Sequence, residues 1–170
     1  VSDYEWFSNT IFIITADHVN PEHKFEEYKN MYGLYRVPIA FYAPQIIETK
    51  EVKEIAQHTD IGVSIISALG IDDYVFSFGR NLFDSIQNPA YINYINNVYS
   101  FSDGTYLLQS DGENIKRVYN IKTDKLLKNN IYNENPNDWS ELDLQFKTRL
   151  QQYNNRMINN KLYYTKWKRK

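Results

Sequence analysis

The sequence predicts an α/β fold in its first half, then an antiparallel β-meander and a long terminal helix. Three observations carry this. Ile11-Phe12-Ile13-Ile14 is an apolar, β-branched and aromatic run too short for a helix. A second apolar run, Val37–Pro44, precedes a capped helical pattern over Ile61–Leu69. The hairpin signals Asp103-Gly104 and Asp111-Gly112 then separate short strand-like segments, and near-helical spacing from Leu142 to Met157 follows. The character changes near Pro89, so the chain divides into residues 1–88, an α/β portion, and residues 89–170, a smaller C-terminal subdomain.

Ser2–Phe7 reads as the end of an amphipathic helix. Ile11–Ile14 reads as a buried strand covered on both faces, as in a parallel sheet, and it runs into Asp17-His18. Ligands of open α/β sheets sit outside the carboxyl ends of the strands. A carboxylate oxygen beside an imidazole nitrogen there can hold part of a divalent metal's coordination sphere. Val19–Lys24 is a polar loop, and Phe25–Met31 forms one or two helical turns or an irregular loop. In Val37–Pro44, Pro38 lacks a ladder donor and belongs at the strand start or edge. Thr49–Ala56 reads as partly helical. Asp60 is the expected N-cap of the Ile61–Leu69 helix, Gly70 its stop, and Phe78–Phe83 a compact turn segment.

In the second half, Tyr99–Phe101, Thr105–Gln109, Lys116–Asn120 and a short run near Lys122 read as antiparallel strands. Ser140 is the expected cap of the last helix, whose apolar positions are Leu142, Leu144, Phe146, Leu150, Tyr153 and Met157.

The 170 residues, 42% of them hydrophobic, suffice for a real core. A net charge of −2 implies no general attraction to nucleic acid. The absence of cysteine excludes disulfides, thiolate catalysis and Cys-ligated zinc. No apolar run has the length of a membrane span. The basic stretch Lys166–Lys170, with Trp167 inside it, invites a membrane-surface reading, against which stands the plainer one of a solvated, fraying terminus.

Four blocks in order, Thr10–His18, Tyr35–Pro44, Thr59–Ile71 and Phe78–Phe83, resemble the C-terminal part of the sulfatase-like members of the alkaline phosphatase superfamily. Within it they look most like the lipoteichoic acid synthase type of phosphoglycerol transferase. The resemblance implies the C-terminal portion of an alkaline phosphatase-like α/β sandwich. It also implies a fragment of a larger bacterial enzyme, extracytoplasmic and membrane-anchored, with the anchor outside this chain. Asp17 and His18 then match the metal-binding Asp-His pair of that family. The ion, manganese, zinc or magnesium, is completed by a carboxylate and a nucleophile from the missing N-terminal half. That nucleophile is a Thr in the transferases and a formylglycine in the sulfatases. Val19 departs from the family pattern, where a Gly is usual, which bears on the loop geometry.

His23 is the candidate catalytic residue, for which the resemblance implies a contact to the transferred group; the alternative is a solvated loop histidine. His58 reads as a connector; Arg36 is a candidate contact to an anionic substrate, though the resemblance implies instead a tie between loop and sheet. The expected parent activity is metal-dependent transfer of a phosphoglycerol group from a phospholipid donor to a glycan or lipid acceptor. The alternatives are a sulfate-ester hydrolase and a non-catalytic binding module. The chain alone is expected to be inactive, to lack nucleic-acid binding, and to self-associate through its cut sheet.

Overall fold

The computed structural model describes residues 2–20, 22, 24–84, 88–134 and 139–163. The chain forms two compact units, Val1–Lys53 and Glu54–Lys170. The architecture is mixed α/β, with a two-stranded sheet, a four-stranded antiparallel sheet and two α-helices.

In the first unit β1 (Phe12–Ile14) pairs with β2 (Ala40–Tyr42), in the register Phe12↔Tyr42, Ile13↔Phe41 and Ile14↔Ala40. The pairing is antiparallel rather than parallel. Ile14 is 65% exposed, so the strand is not covered on both faces. Pro38 and Pro44 flank β2, as an imino acid without a ladder donor requires. Phe12 meets Phe7 at 5.3 Å and Tyr42 at 6.1 Å between ring centroids, and Phe7 also meets Tyr42 at 6.0 Å. These contacts seat the turn that precedes β1. That turn, Glu5–Asn9, is a 3₁₀ turn rather than the end of an α-helix. Two further 3₁₀ turns, Glu26–Tyr28 and Gly33–Tyr35, fill the loop between the strands. Asn30 fixes them, its Oδ1 accepting the Tyr32 and Gly33 amides at 3.1 and 2.8 Å. Thr49–Ala56 is irregular rather than partly helical. Val52, Ile55 and Ala56 do fall at helical spacing, but the run is little more than two turns and Val52 is exposed, too little packing to hold a helix.

The second unit opens with α1 (Thr59–Ala68). Gly70 ends it with φ +63°, donating to Ser67 O at 3.0 Å while Ile71 donates to Ile66 O at 3.1 Å. This is a Schellman closure, which needs a residue at ease in the left-handed region. Asp60 is inside the helix and His58 holds the N-cap position, so the expected cap is displaced by two residues.

Four strands follow: β3 (Tyr91–Ile95), β4 (Val98–Ser102), β5 (Tyr106–Ser110) and β6 (Ile115–Asn120), in the spatial order β3-β4-β5-β6. β3 is an addition to the predicted meander, and the run near Lys122 is a turn rather than a strand. The cross-strand row Ile92–Phe101–Leu108–Val118 faces α2 (Ser140–Ile158). Leu142 and Phe146 of α2 are buried against this row and Leu150 half-buried, one helical turn apart in each step. Leu144, Tyr153 and Met157 are exposed, so the buried stripe is narrower than the apolar spacing predicts. Trp139 sits at the N-cap position of α2, with Ser140 the first helical residue.

Candidate functional site

β1 ends at Ile14, and the chain turns out of the ribbon through Asp17 and His18. The turn is tied back by Val19 N–H, which donates to Leu34 O at 2.9 Å. The Asp17 carboxylate is 89% exposed and the His18 ring 44%. Asp17 Oδ1 accepts the His18 backbone N–H at 3.0 Å, which orients the carboxylate and leaves Oδ2 outward. His18 Nδ1 is 2.7 Å from Val19 O. A carbonyl only accepts, so the neutral ring carries its proton on Nδ1 and presents a lone pair at Nε2. Nε2 is 3.6 Å from Asp17 Oδ2.

The resemblance implies a divalent ion here, and these two atoms suit one. At 3.6 Å apart, Asp17 Oδ2 and His18 Nε2 are close enough that one ion could be shared between them. The backbone carbonyl on Nδ1 is the outer partner a metal-binding imidazole normally has. At position 19 it is the main-chain carbonyl, not the Val19 side chain, that orients the His18 ring. Among the described residues no third His, Cys, Asp or Glu joins the pair. Two such donors would supply about half of a four-coordinate shell, and neither is a nucleophile.

His23 lies outside the described residues. His58 is in the second unit, exposed at the start of α1. Arg36 is exposed and follows the Gly33–Tyr35 turn, its backbone N–H on Gly33 O at 3.0 Å. Burial raises the pKa of the Tyr32 phenol, and the Arg36 charge offsets part of that rise.

The sequence reading misses a polar cluster in the second unit. Asp60, 1% exposed, accepts Arg80 N–H on Oδ1 at 2.8 Å, Gln57 N–H on Oδ2 at 2.8 Å and Arg80 Nη2 on Oδ2 at 3.2 Å. Arg80 Nη2 also donates to Ile55 O at 3.1 Å and to Ala90 O at 3.4 Å. The Gln57 amide exchanges two hydrogen bonds with Ile92, Nε2 to O at 2.9 Å and N–H to Oε1 at 3.3 Å. Ser64 Oγ accepts Leu82 N–H at 2.9 Å and donates to Asp60 O at 2.8 Å. Through the Asp60–Arg80 ion pair and these main-chain bonds, the cluster ties the start of α1 to β3. Its one sequence signal is an acid at a helix start, read as a cap. Among known proteins, no family model and no curated sequence matches the chain.

Proposed function

We propose that this chain is the metal-holding C-terminal part of a phosphoglycerol transferase of the alkaline phosphatase superfamily. In this reading it moves a phosphoglycerol group from a phospholipid donor to a glycan or lipid acceptor. The observation that carries the proposal is the pairing of Asp17 Oδ2 and His18 Nε2, 3.6 Å apart at the end of β1. Asp17 contributes negative charge and His18 a neutral donor to a divalent ion such as manganese, zinc or magnesium. An ion held by Asp17 and His18 would supply polarisation of a phosphoryl oxygen and a lowered pKa for the nucleophile. The Val19 carbonyl keeps the His18 ring in the tautomer that can ligate. The nucleophile and the remaining carboxylate come from the upstream half, in line with the residues that resemble this family. His23, four residues past the strand-end turn in which Asp17 and Val19 hold His18, is the candidate contact to the transferred group.

Paramagnetic broadening by Mn²⁺ tests the seat on this chain directly and reads weak binding. The His18 ring resonances should broaden at substoichiometric Mn²⁺ while those of His58 stay sharp. Asp17→Ala should remove the selectivity. Equal broadening of both rings, or unchanged broadening of His18 in Asp17→Ala, overturns the proposal.

A further inference from the structure

The end of α2 is held in place and carries positive charge. Arg156 stacks its guanidinium 3.8 Å over the Phe76 ring and donates Nη1 to Lys161 O at 3.1 Å. Lys161 N–H returns to Arg156 O at 2.8 Å, with Asn160 at φ +51° between them. This left-handed closure fixes the direction in which the chain leaves the helix. Neither Arg156 nor Lys161 has a carboxylate partner among the described residues. Apolar side chains stand exposed beside them. The Tyr153 ring lies 5.5 Å from that of Phe78, and Met157, Leu162 and Tyr163 are open to solvent, as is Ile158 at 83%.

The sequence continues the same chemistry. From Arg156 to Lys170 there are six cations and no acid, with Tyr163, Tyr164 and Trp167 among them. The whole chain has 19 Lys and Arg against 21 Asp and Glu, so the first 155 residues hold 13 cations against all 21 acids. One short segment of a net-acidic protein is therefore strongly basic, aromatic and apolar together. Nucleic acid would use the cations and leave Met157, Ile158 and Leu162 idle. An anionic bilayer uses both classes, headgroups taking the cations and the acyl boundary taking the apolar side chains. Tyr and Trp are the residues that settle at that boundary.

We infer that the end of α2 and the residues after it dock on an anionic phospholipid bilayer. This is independent of the Asp17-His18 seat. The full chain is incubated with vesicles of phosphatidylcholine alone, or of phosphatidylcholine with phosphatidylglycerol, and sedimented. It should pellet with the anionic vesicles only and be released by salt, which screens the attraction. The variant Lys166→Gln/Lys168→Gln/Arg169→Gln/Lys170→Gln should partition about 10²–10³-fold more weakly. Ile158→Asp should weaken vesicle binding with an unchanged thermal melt, since the side chain is exposed. The inference fails if both vesicle types pellet the chain equally or neither does. It also fails if Ile158→Asp binds like wild type, or if duplex DNA binds more tightly than the anionic vesicles.

Discussion

Asp60 and Arg80, twenty residues apart, are joined twice: Oδ1 takes the Arg80 backbone N–H at 2.8 Å and Oδ2 takes the guanidinium at 3.2 Å. The first bond fixes where the loop passes, and the second spends its charge inside the second unit. Removing one member of a buried pair strands the other, a loss of about 3–5 kcal/mol. Asp60→Ala should therefore unfold at markedly lower urea with an unchanged m-value. Arg80→Lys should recover little, because one ammonium cannot reach Asp60, Ile55 O and Ala90 O together. A near wild-type midpoint for Asp60→Ala would show the pair to be dispensable.

Two glycines of the same unit should respond oppositely to alanine. A Cβ on Gly79 would stand 1.9 Å from Thr59 O, a backbone atom that cannot swing aside. Gly79→Ala should thus force the loop away from α1 and disrupt the Asp60–Arg80 junction beside it. Gly62 is in α1 with nothing within 4 Å of its Cβ position. Gly62→Ala should stabilise by about 0.5–1 kcal/mol through helix propensity and a less flexible unfolded chain. Paired thermal melts check both signs.

The β5–β6 turn makes a pH prediction. Asp111 accepts Asn114 N–H at 2.8 Å and Glu113 N–H at 3.0 Å, and its Oδ2 is 2.7 Å from Lys116 Nζ. The Asn114 amide first, then Lys116 and the Glu113 amide, hold this carboxyl well below the usual carboxylate range. A depressed folded pKa contributes stability that is present above the unfolded value, ~3.9, and lost as pH falls through the folded one. The turn should therefore keep its charge at pH 3, where an ordinary Asp is largely protonated. The Asp111 carboxyl ¹³C shift, followed by NMR from pH 6 to 2, should move last among the aspartates. A midpoint near 4 would refute this.

Local chemistry is legible in this sequence, and distant partnership is not. Gly70 as a helix stop and the turns at Gly104 and Gly112, with φ +91° and +105°, follow from the one residue type that adopts such angles freely. The β3–β4 hairpin turns on Asn96-Asn97, at φ +52° and +61°, a weaker signal than Asp-Gly, and so β3 goes unpredicted. The antiparallel sense of β1 and β2 depends on the path of the loop between them, which apolar content does not encode. Asp60 does accept a backbone N–H at the helix start, from Gln57, but its ion-pair partner Arg80 is twenty residues on and leaves no local signal. At the candidate site the adjacency of Asp17 and His18 is plain in the sequence. The Val19 carbonyl that fixes the His18 tautomer is a backbone atom and leaves no mark there.

The proposed function makes a graded prediction for histidines and one aspartate. This chain alone should not turn over a chromogenic phosphodiester, since among its described residues the seat has two ligands. Joined to the upstream half, the enzyme should lose turnover in Asp17→Ala, with the fold retained, because that carboxylate is exposed and supports no core. His18→Ala should do nearly the same, since removing one of about four ligands weakens the seat and misplaces the nucleophile. His23→Ala should lose roughly a hundred-fold, within the 10²–10⁴ typical of a positioned acid or base. His58→Ala should stay within a few-fold of wild type, as it stands exposed at the start of α1. Metal content should fall with the first two substitutions and hold with the last two. Turnover and metal both surviving Asp17→Ala, or both vanishing in His58→Ala, would move the chemistry elsewhere.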